Sequence, residues 1–259
     1  VLESYFNGDP WATFADRATE GFFIEVMIAI ERLLNKPEDL KARCQLSYLG
    51  AIALSGFLNR PRGGDFPLHM MQHPLSGYFD ISHGRGLALL FPRWLKYVCH
   101  EKPAKIIQFG ERVFSMDLET HHPLEAAELV IERLIEWLDE IGAYFYLDDL
   151  GIPNDPTLLM KLAEDVIRIN GDENGTIGGI KRLGVDDIFT IYESCIRIGT
   201  PEVQMPLESL EEHGEEASDE TVETETDEQP SEIPTISEDA IPAEVSETDK
   251  GGQIESEGD

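Results

Sequence analysis

The sequence predicts an all-α fold, a multi-helix bundle domain followed by a tail of different character. Three observations carry that reading. Between about residues 12 and 198 the apolar residues recur at steps of three and four, the spacing of one helix face. The punctuation is helical, with Pro or Asp where segments start and Gly where they end. Alternating apolar and polar runs, which would lay out half-buried strands, are scarce.

Taken in order, residues 12–34 set Phe22, Ile24, Met27, Ile28, Ile30 and Leu34 at near-helical intervals. Pro37 opens PEDLKARCQLSYLGAIALSGFL, where a missing N–H costs nothing and the acids suit a helix N-terminus. Asp65 is read as an N-cap and Pro67 as a first-turn residue of the helix that follows. Pro74 limits how regularly that helix continues, and Pro92 starts or kinks another, on which Trp94 and Tyr97 pack. His121 and His122 lead into a strong helix. There Leu124, Ala127, Ile131, Leu134, Leu138 and Ile141 step by three or four before Gly142 closes it. Asp155 caps DPTLLMKLAEDVIRI with Pro156 first, and residues 185–198 form a last, shorter helix. Seven or eight helices in one domain, residues 1–200, are expected.

The net charge of −31 divides along the same line. Residues 202–259 hold 21 of the 51 acids and one of the 20 bases, Lys250. The preceding part is only mildly acidic. That balance excludes a basic nucleic-acid surface and electrostatic docking on anionic membranes. No apolar run approaches the ~20 residues that span a bilayer, and Glu25 interrupts GFFIEVMIAI. Residues 201–259 are expected to be an acidic disordered tail, because so few apolar groups cannot offset about 1–2 kcal/mol of backbone entropy per residue. The N-terminus VLESYFNGDP has neither the basic region nor the apolar core of a signal peptide, and it lacks an initiator Met, which points to a fragment. Cys44, Cys99 and Cys195 are odd in number and widely spaced, so buried thiols in a cytoplasmic protein are expected rather than disulfides.

Chemistry concentrates in DFPLHMMQHPLSGYFDISHG, where three of the seven histidines, His69, His73 and His83, fall within 15 residues. His69 and His73 lie one helical turn apart, and His83 follows a turn beside Gly84. Neutral imidazole suits Zn and Fe(II), so helix histidines and one from a loop can share an ion. Core or surface histidines are the bland alternative. No HExxH and no Cys partner points to a zincin or a zinc finger. The Asn174-Gly175-Thr176 sequon and the loop acids Asp148, Asp149 and Asp155 carry no function on this reading.

The segment HxxxHPLSxYxDIxHGxGLALLxPxWLKY resembles the metal-binding stretch of the iron-dependent alcohol dehydrogenases, in particular the butanol dehydrogenase-like branch. The opening LESYF, CQLSYLGAIALSGFL and the closing KRLGVDDIFTIYESCI are similar to that family as well. The resemblance implies that His69 and His83 bind a divalent metal, Fe(II) first and Zn second. It implies that His73 lies near the nicotinamide and substrate, as a proton carrier or as an orienting neighbour. It also implies NAD(P), a short-chain alcohol or aldehyde as substrate, and a homodimer in the complete enzyme. A zinc polyol dehydrogenase or dehydroquinate synthase-like enzyme is the alternative within the superfamily. In the family pattern, a further Asp and His ligand and the whole NAD(P)-binding α/β domain precede the segment that matches residue 1. No cofactor-binding residue is therefore expected in this chain: GGIKRLG (178–184) follows no strand, and no GxGxxG occurs. The chain alone is expected to be inactive. The acidic tail lies outside the family pattern, and Ser82 stands where a proline is common. The contrasting reading is a non-catalytic helical module whose tail recruits a basic partner. Absence of the α/β half is expected to leave apolar surface open on the first helices.

Overall fold

The computed structural model describes residues 1–7, 12–63 and 66–204. Among them are nine α-helices: α1 (Leu2–Asn7), α2 (Thr13–Asn35), α3 (Leu40–Leu54), α4 (Pro67–Phe79), α5 (His83–Val98), α6 (Pro103–Val113), α7 (Pro123–Glu140), α8 (Pro156–Asn170) and α9 (Val185–Glu193). A single 3-10 turn (Asp148–Leu150) precedes α8, and the only pairing of β type among these residues is an isolated antiparallel bridge, Ile177 with Leu183. The fold class is as the sequence predicts. Asp65 and the tail from residue 205 lie outside the described residues.

The bundle is built around α5. Its Leu89, Leu90, Trp94, Leu95 and Val98 are buried, and it packs against α4, α7 and α9. Neighbours in sequence pair as hairpins, α2 with α3, α6 with α7 and α8 with α9, while α4 also lies on α8. The predicted stops hold where the chemistry is local. Asp155 accepts from the amides of Thr157 and Leu158 at 2.8 and 3.3 Å, and Gly142 closes α7 with φ 70°.

Several boundaries differ from expectation. α3 begins at Leu40, because Asp39 rather than Pro37 supplies the cap, accepting from Ala42 N–H at 3.1 Å. It ends at Leu54, short of Leu58. α4 runs through Pro74, whose missing N–H removes one bond, while the buried Tyr192 hydroxyl donates to the Met71 carbonyl at 2.5 Å. α5 likewise passes Pro92 and starts at His83, so this histidine is helical rather than in a loop. α9 ends at Glu193, five residues early. Cys99 and Cys195 are buried, but Cys44 is exposed on α3. The buried face of α2 is the predicted apolar one only in part: Met27 and Ile30 pack against the core. Asp16, Thr19, Glu20 and Phe23 turn inward, while Ile28 and Leu34 are exposed.

α6 was not anticipated from the sequence. Its Ile106 and Phe109 are buried, and Gly110 allows close approach to α7, where a Cβ would collide with Val130. Gly110→Ala is therefore expected to destabilise the protein by about 1–3 kcal/mol through overpacking, measured as a lower urea midpoint with an unchanged slope.

No described helix is long and apolar enough to cross a membrane.

Candidate metal centre

Two helices and one tight turn bring the three histidines together. Pro67 at the first position of α4 fixes the helix start, so His69 falls in its first turn and His73 one turn on. Asp80 ends α4 in the left-handed region (φ 48°). Ser82 then stands at the N-cap position of α5, which folds back on α4 and presents His83 as its first residue. The His69 and His83 rings lie 5.3 Å apart between centres, and His73 and His83 lie 6.0 Å apart. His73 and His83 are exposed and His69 is half-buried, so the cluster faces outward.

Each outer ring is held through Nδ1. The His69 Nδ1 lies 2.5 Å from Glu3 Oε2, while Glu3 Oε1 accepts from the Leu68 amide at 2.5 Å. Glu3 is buried on α1, and its carboxylate sits at the N-terminus of α4, where negative charge is favoured. His83 Nδ1 lies 2.5 Å from Oε1 of the fully buried Gln72. Gln72 Nε2 donates to Ser76 Oγ, and the Ser76 hydroxyl donates to the Ile81 carbonyl at 2.7 Å. α1 is itself anchored beside this site: Asn7 Oδ1 accepts from the Ile180 amide at 2.9 Å, tying it to the 177–183 loop.

These residues suit a divalent ion in chemistry and in spacing. Ion binding through one nitrogen of each ring at about 2.1 Å sets two ring centres roughly 5 Å apart on a tetrahedral ion. The 5.3 Å observed between His69 and His83 matches. With Nδ1 engaged, Nε2 of each ring is the nitrogen left to serve as ligand, as in carboxylate–histidine–metal arrangements. Among the described residues, however, no group of three or more His, Cys, Asp or Glu side chains could hold an ion.

His83 is held below the ordinary imidazole value of 6.5, by desolvation first and by the neighbouring His69 and His73 second. A histidine with a lowered folded pKa stabilises the fold fully above its unfolded value and loses that contribution as the pH falls through the folded one. An NMR titration of His83 should thus give a midpoint below 6.5. His69→Gln should raise the midpoint without restoring it fully, because partial desolvation of the ring remains the larger cause.

A cleft of about 240 Å³ adjoins His73 and is lined by Gly77, Tyr78, Asp165 and Arg168. The Tyr78 hydroxyl donates to Asp165 Oδ2 at 2.7 Å, and Arg168 Nε donates to Oδ1 at 2.9 Å. Two larger clefts, of about 450 and 510 Å³, are lined by none of the three histidines.

All three predicted site residues are thus neighbours. Sequence reasoning missed Glu3, Gln72, Ser76 and the Asp165 group. One signal was available: His69, Gln72, His73 and Ser76 fall at i, i+3, i+4 and i+7, a continuous polar stripe on one helical face.

Residues 1–196 match the description "Fe-containing alcohol dehydrogenase family, C-terminal". NADH-dependent butanol dehydrogenases A and B of Clostridium acetobutylicum are 30% and 27% identical to this chain over 194 and 197 residues. Those stretches cover 74% and 76% of this chain and 48% and 49% of the relatives. The crystal structure of an NADH-dependent butanol dehydrogenase A from Thermotoga maritima superposes with a TM-score of 0.68 at 32% identity, over 76% of this chain and 49% of that one. The chain therefore spans about half the length of the proteins it matches.

Proposed function

The chain belongs to the Fe-containing alcohol dehydrogenase family, and from that premise we propose that it is the helical metal-binding part of a metal-dependent, NAD(P)-linked alcohol dehydrogenase or aldehyde reductase for short-chain substrates such as butanol and butanal. The observation that carries this reading is the pairing of His69 and His83, with ring centres 5.3 Å apart and both Nδ1 atoms engaged by buried acceptors. The names of the relatives support the substrate class, since they are butanol dehydrogenases and, more distantly, an NADPH-dependent aldehyde reductase of Escherichia coli.

On this reading His69 and His83 hold the ion through Nε2, and further donors come from outside the described residues. Fe(II) is the first choice from the family and Zn(II) the second; both accept imidazole nitrogen. An ion held there would supply Lewis acidity at an alcohol or carbonyl oxygen, beside the hydride chemistry that a nicotinamide cofactor would bring. The protein's own groups do the positioning. Glu3 and Gln72 hold the rings at fixed angles, and α4 carries His73 one turn beyond the first ligand. His73 is exposed and beside the cleft, where it can pass the alcohol proton between substrate and solvent. The same proposal divides the chain at residue 200, with residues 201–259 an acidic appendage outside the metal-binding unit. It places the protein in the cytoplasm, as a homodimer in its complete form.

The test is butanal-dependent oxidation of NADH and NADPH by the full product of the gene, with Fe(II) or Zn(II) added after chelation. Metal-restored turnover that is lost in His69→Ala supports the proposal. Turnover that survives chelation and His69→Ala alike would remove it.

A further inference from the structure

Resting on the assignment of His69 and His83 as ligands, we infer that Gln72, Ser76 and Gly86 are positioning residues that set the tautomer of His83 before any metal arrives, and that Glu3 does the same for His69. The chain of hydrogen bonds beside His83 ends on a group of fixed polarity. The Ile81 carbonyl only accepts, so the Ser76 hydroxyl commits its proton there, at 2.7 Å. The Ser76 oxygen is then the acceptor for the Gln72 amide nitrogen. That contact turns the other end of the amide, Oε1, toward His83 Nδ1 at 2.5 Å. An amide oxygen has no proton to give, so Nδ1 carries one, and the lone pair of the neutral ring falls on Nε2. The polarity of one backbone carbonyl is in this way passed through two side chains to the ligand atom.

His69 reaches the same state by a shorter route. The Leu68 amide, 2.5 Å from Glu3 Oε1, orients the carboxylate, and Oε2 accepts from Nδ1 at 2.5 Å. Both rings therefore enter metal binding without a tautomer exchange.

Gly86 is part of the device. A Cβ at residue 86 would lie 2.7 Å from Gln72 Cγ and 2.9 Å from Gln72 Nε2. Gly86 is itself buried, one turn into α5, so the first turn of that helix leaves the space in which the Gln72 amide sits. Any side chain there would push the amide off His83.

Nitrogen-15 spectra of the histidine-labelled, metal-free 259-residue chain, recorded above the imidazole titration range, report which ring nitrogen is protonated. The expected result is protonated Nδ1 and bare Nε2 at both His69 and His83. Gln72→Leu is expected to release His83 to a mixture or to the Nε2-protonated form, with His69 unchanged. Gln72→Glu, in which the Ser76 hydroxyl turns from the Ile81 carbonyl to donate to one carboxylate oxygen while the other accepts from Nδ1, is expected to restore the wild-type tautomer. Zn(II) affinity should follow the tautomer, falling about 10–100-fold in Gln72→Leu and recovering in Gln72→Glu. Ser76→Ala, which removes only the hydroxyl, gives the same readout should Gln72→Leu fail to fold by circular dichroism. A wild-type His83 protonated at Nε2, or a His83 tautomer indifferent to both Gln72→Leu and Ser76→Ala, overturns the inference. Because the tautomer is read without metal, a correct tautomer with no Zn(II) effect at His69 or His83 would sink only the ligand assignment.

Discussion

Replacing His83 with alanine is expected to abolish metal-restored butanal turnover, by at least about a hundredfold, the upper end of what loss of a ligand-orienting neighbour costs. On the proposed assignment the substitution removes one of the two imidazole ligands, and among the described residues no group of three or more His, Cys, Asp or Glu side chains could take its place. It also leaves Gln72 Oε1 without the ring that it faces at 2.5 Å. His73→Ala is the informative contrast. His73 lies 6.0 Å from the His83 ring, and among the described residues it has no Nδ1 partner like those of its two neighbours. Metal content should therefore survive in His73→Ala while turnover falls about 10²–10⁴-fold, the usual range for a lost proton carrier. Metal content measured beside kcat separates the two roles. Equal metal loss in both variants would make His73 a ligand instead.

The largest expected effect on stability lies elsewhere, at Arg62. Its side chain is fully buried, and it reaches Asp16 at 3.2 Å, Thr19 at 2.8 Å and the carbonyls of Ala15 and Leu58 at 2.5 and 2.9 Å. Asp16 also meets Lys105. Its neighbour Glu20 accepts from Tyr5 at 2.8 Å and from Arg112 at 2.9 Å. The network thus ties α1, α2 and α6 to the segment before α4. Burial pushes Arg62 and Lys105 below their ordinary values, and Asp16 opposes that in both cases. Arg62→Ala leaves the buried Asp16 with only Lys105 and Gln108 and is expected to cost about 3–5 kcal/mol, or roughly 6–20 °C in Tm for a domain of this size. Arg62→Met, which keeps most of the volume, should cost less than Arg62→Ala. A loss below about 1 kcal/mol in Arg62→Ala, read from urea unfolding, would show that the network contributes no more than a surface pair.

That network also explains where the sequence misled. α2 was assigned its length correctly, but its inward face follows Asp16 and Glu20, not Ile28 and Leu34. Arg62, Lys105 and Arg112, the cations that pair with those acids across the fold, stand more than 40 residues away, and no local period reports them. Elements fixed by local chemistry were legible, as at Asp155 with Pro156 or at Gly142. α6 was legible in principle, since Ile106, Phe109 and Val113 keep helical spacing. Gly110 reads as a stop until Val130 shows why it is a contact. The candidate site divides in the same way. The histidines and Gln72 share one short segment and can be placed by spacing, whereas Glu3 reaches His69 across 66 positions and only the fold brings it there.

The most direct measurement is a titration of the histidine-labelled chain with Zn(II), following each ring nitrogen by nitrogen-15 NMR. Nε2 of His69 and His83 should shift together, both Nδ1 atoms should keep their protons, and the His73 nitrogens should move little. Binding at His100, His121 or His122 with His69 and His83 unperturbed, or coordination through Nδ1, would contradict the assignment of this cluster as the metal centre.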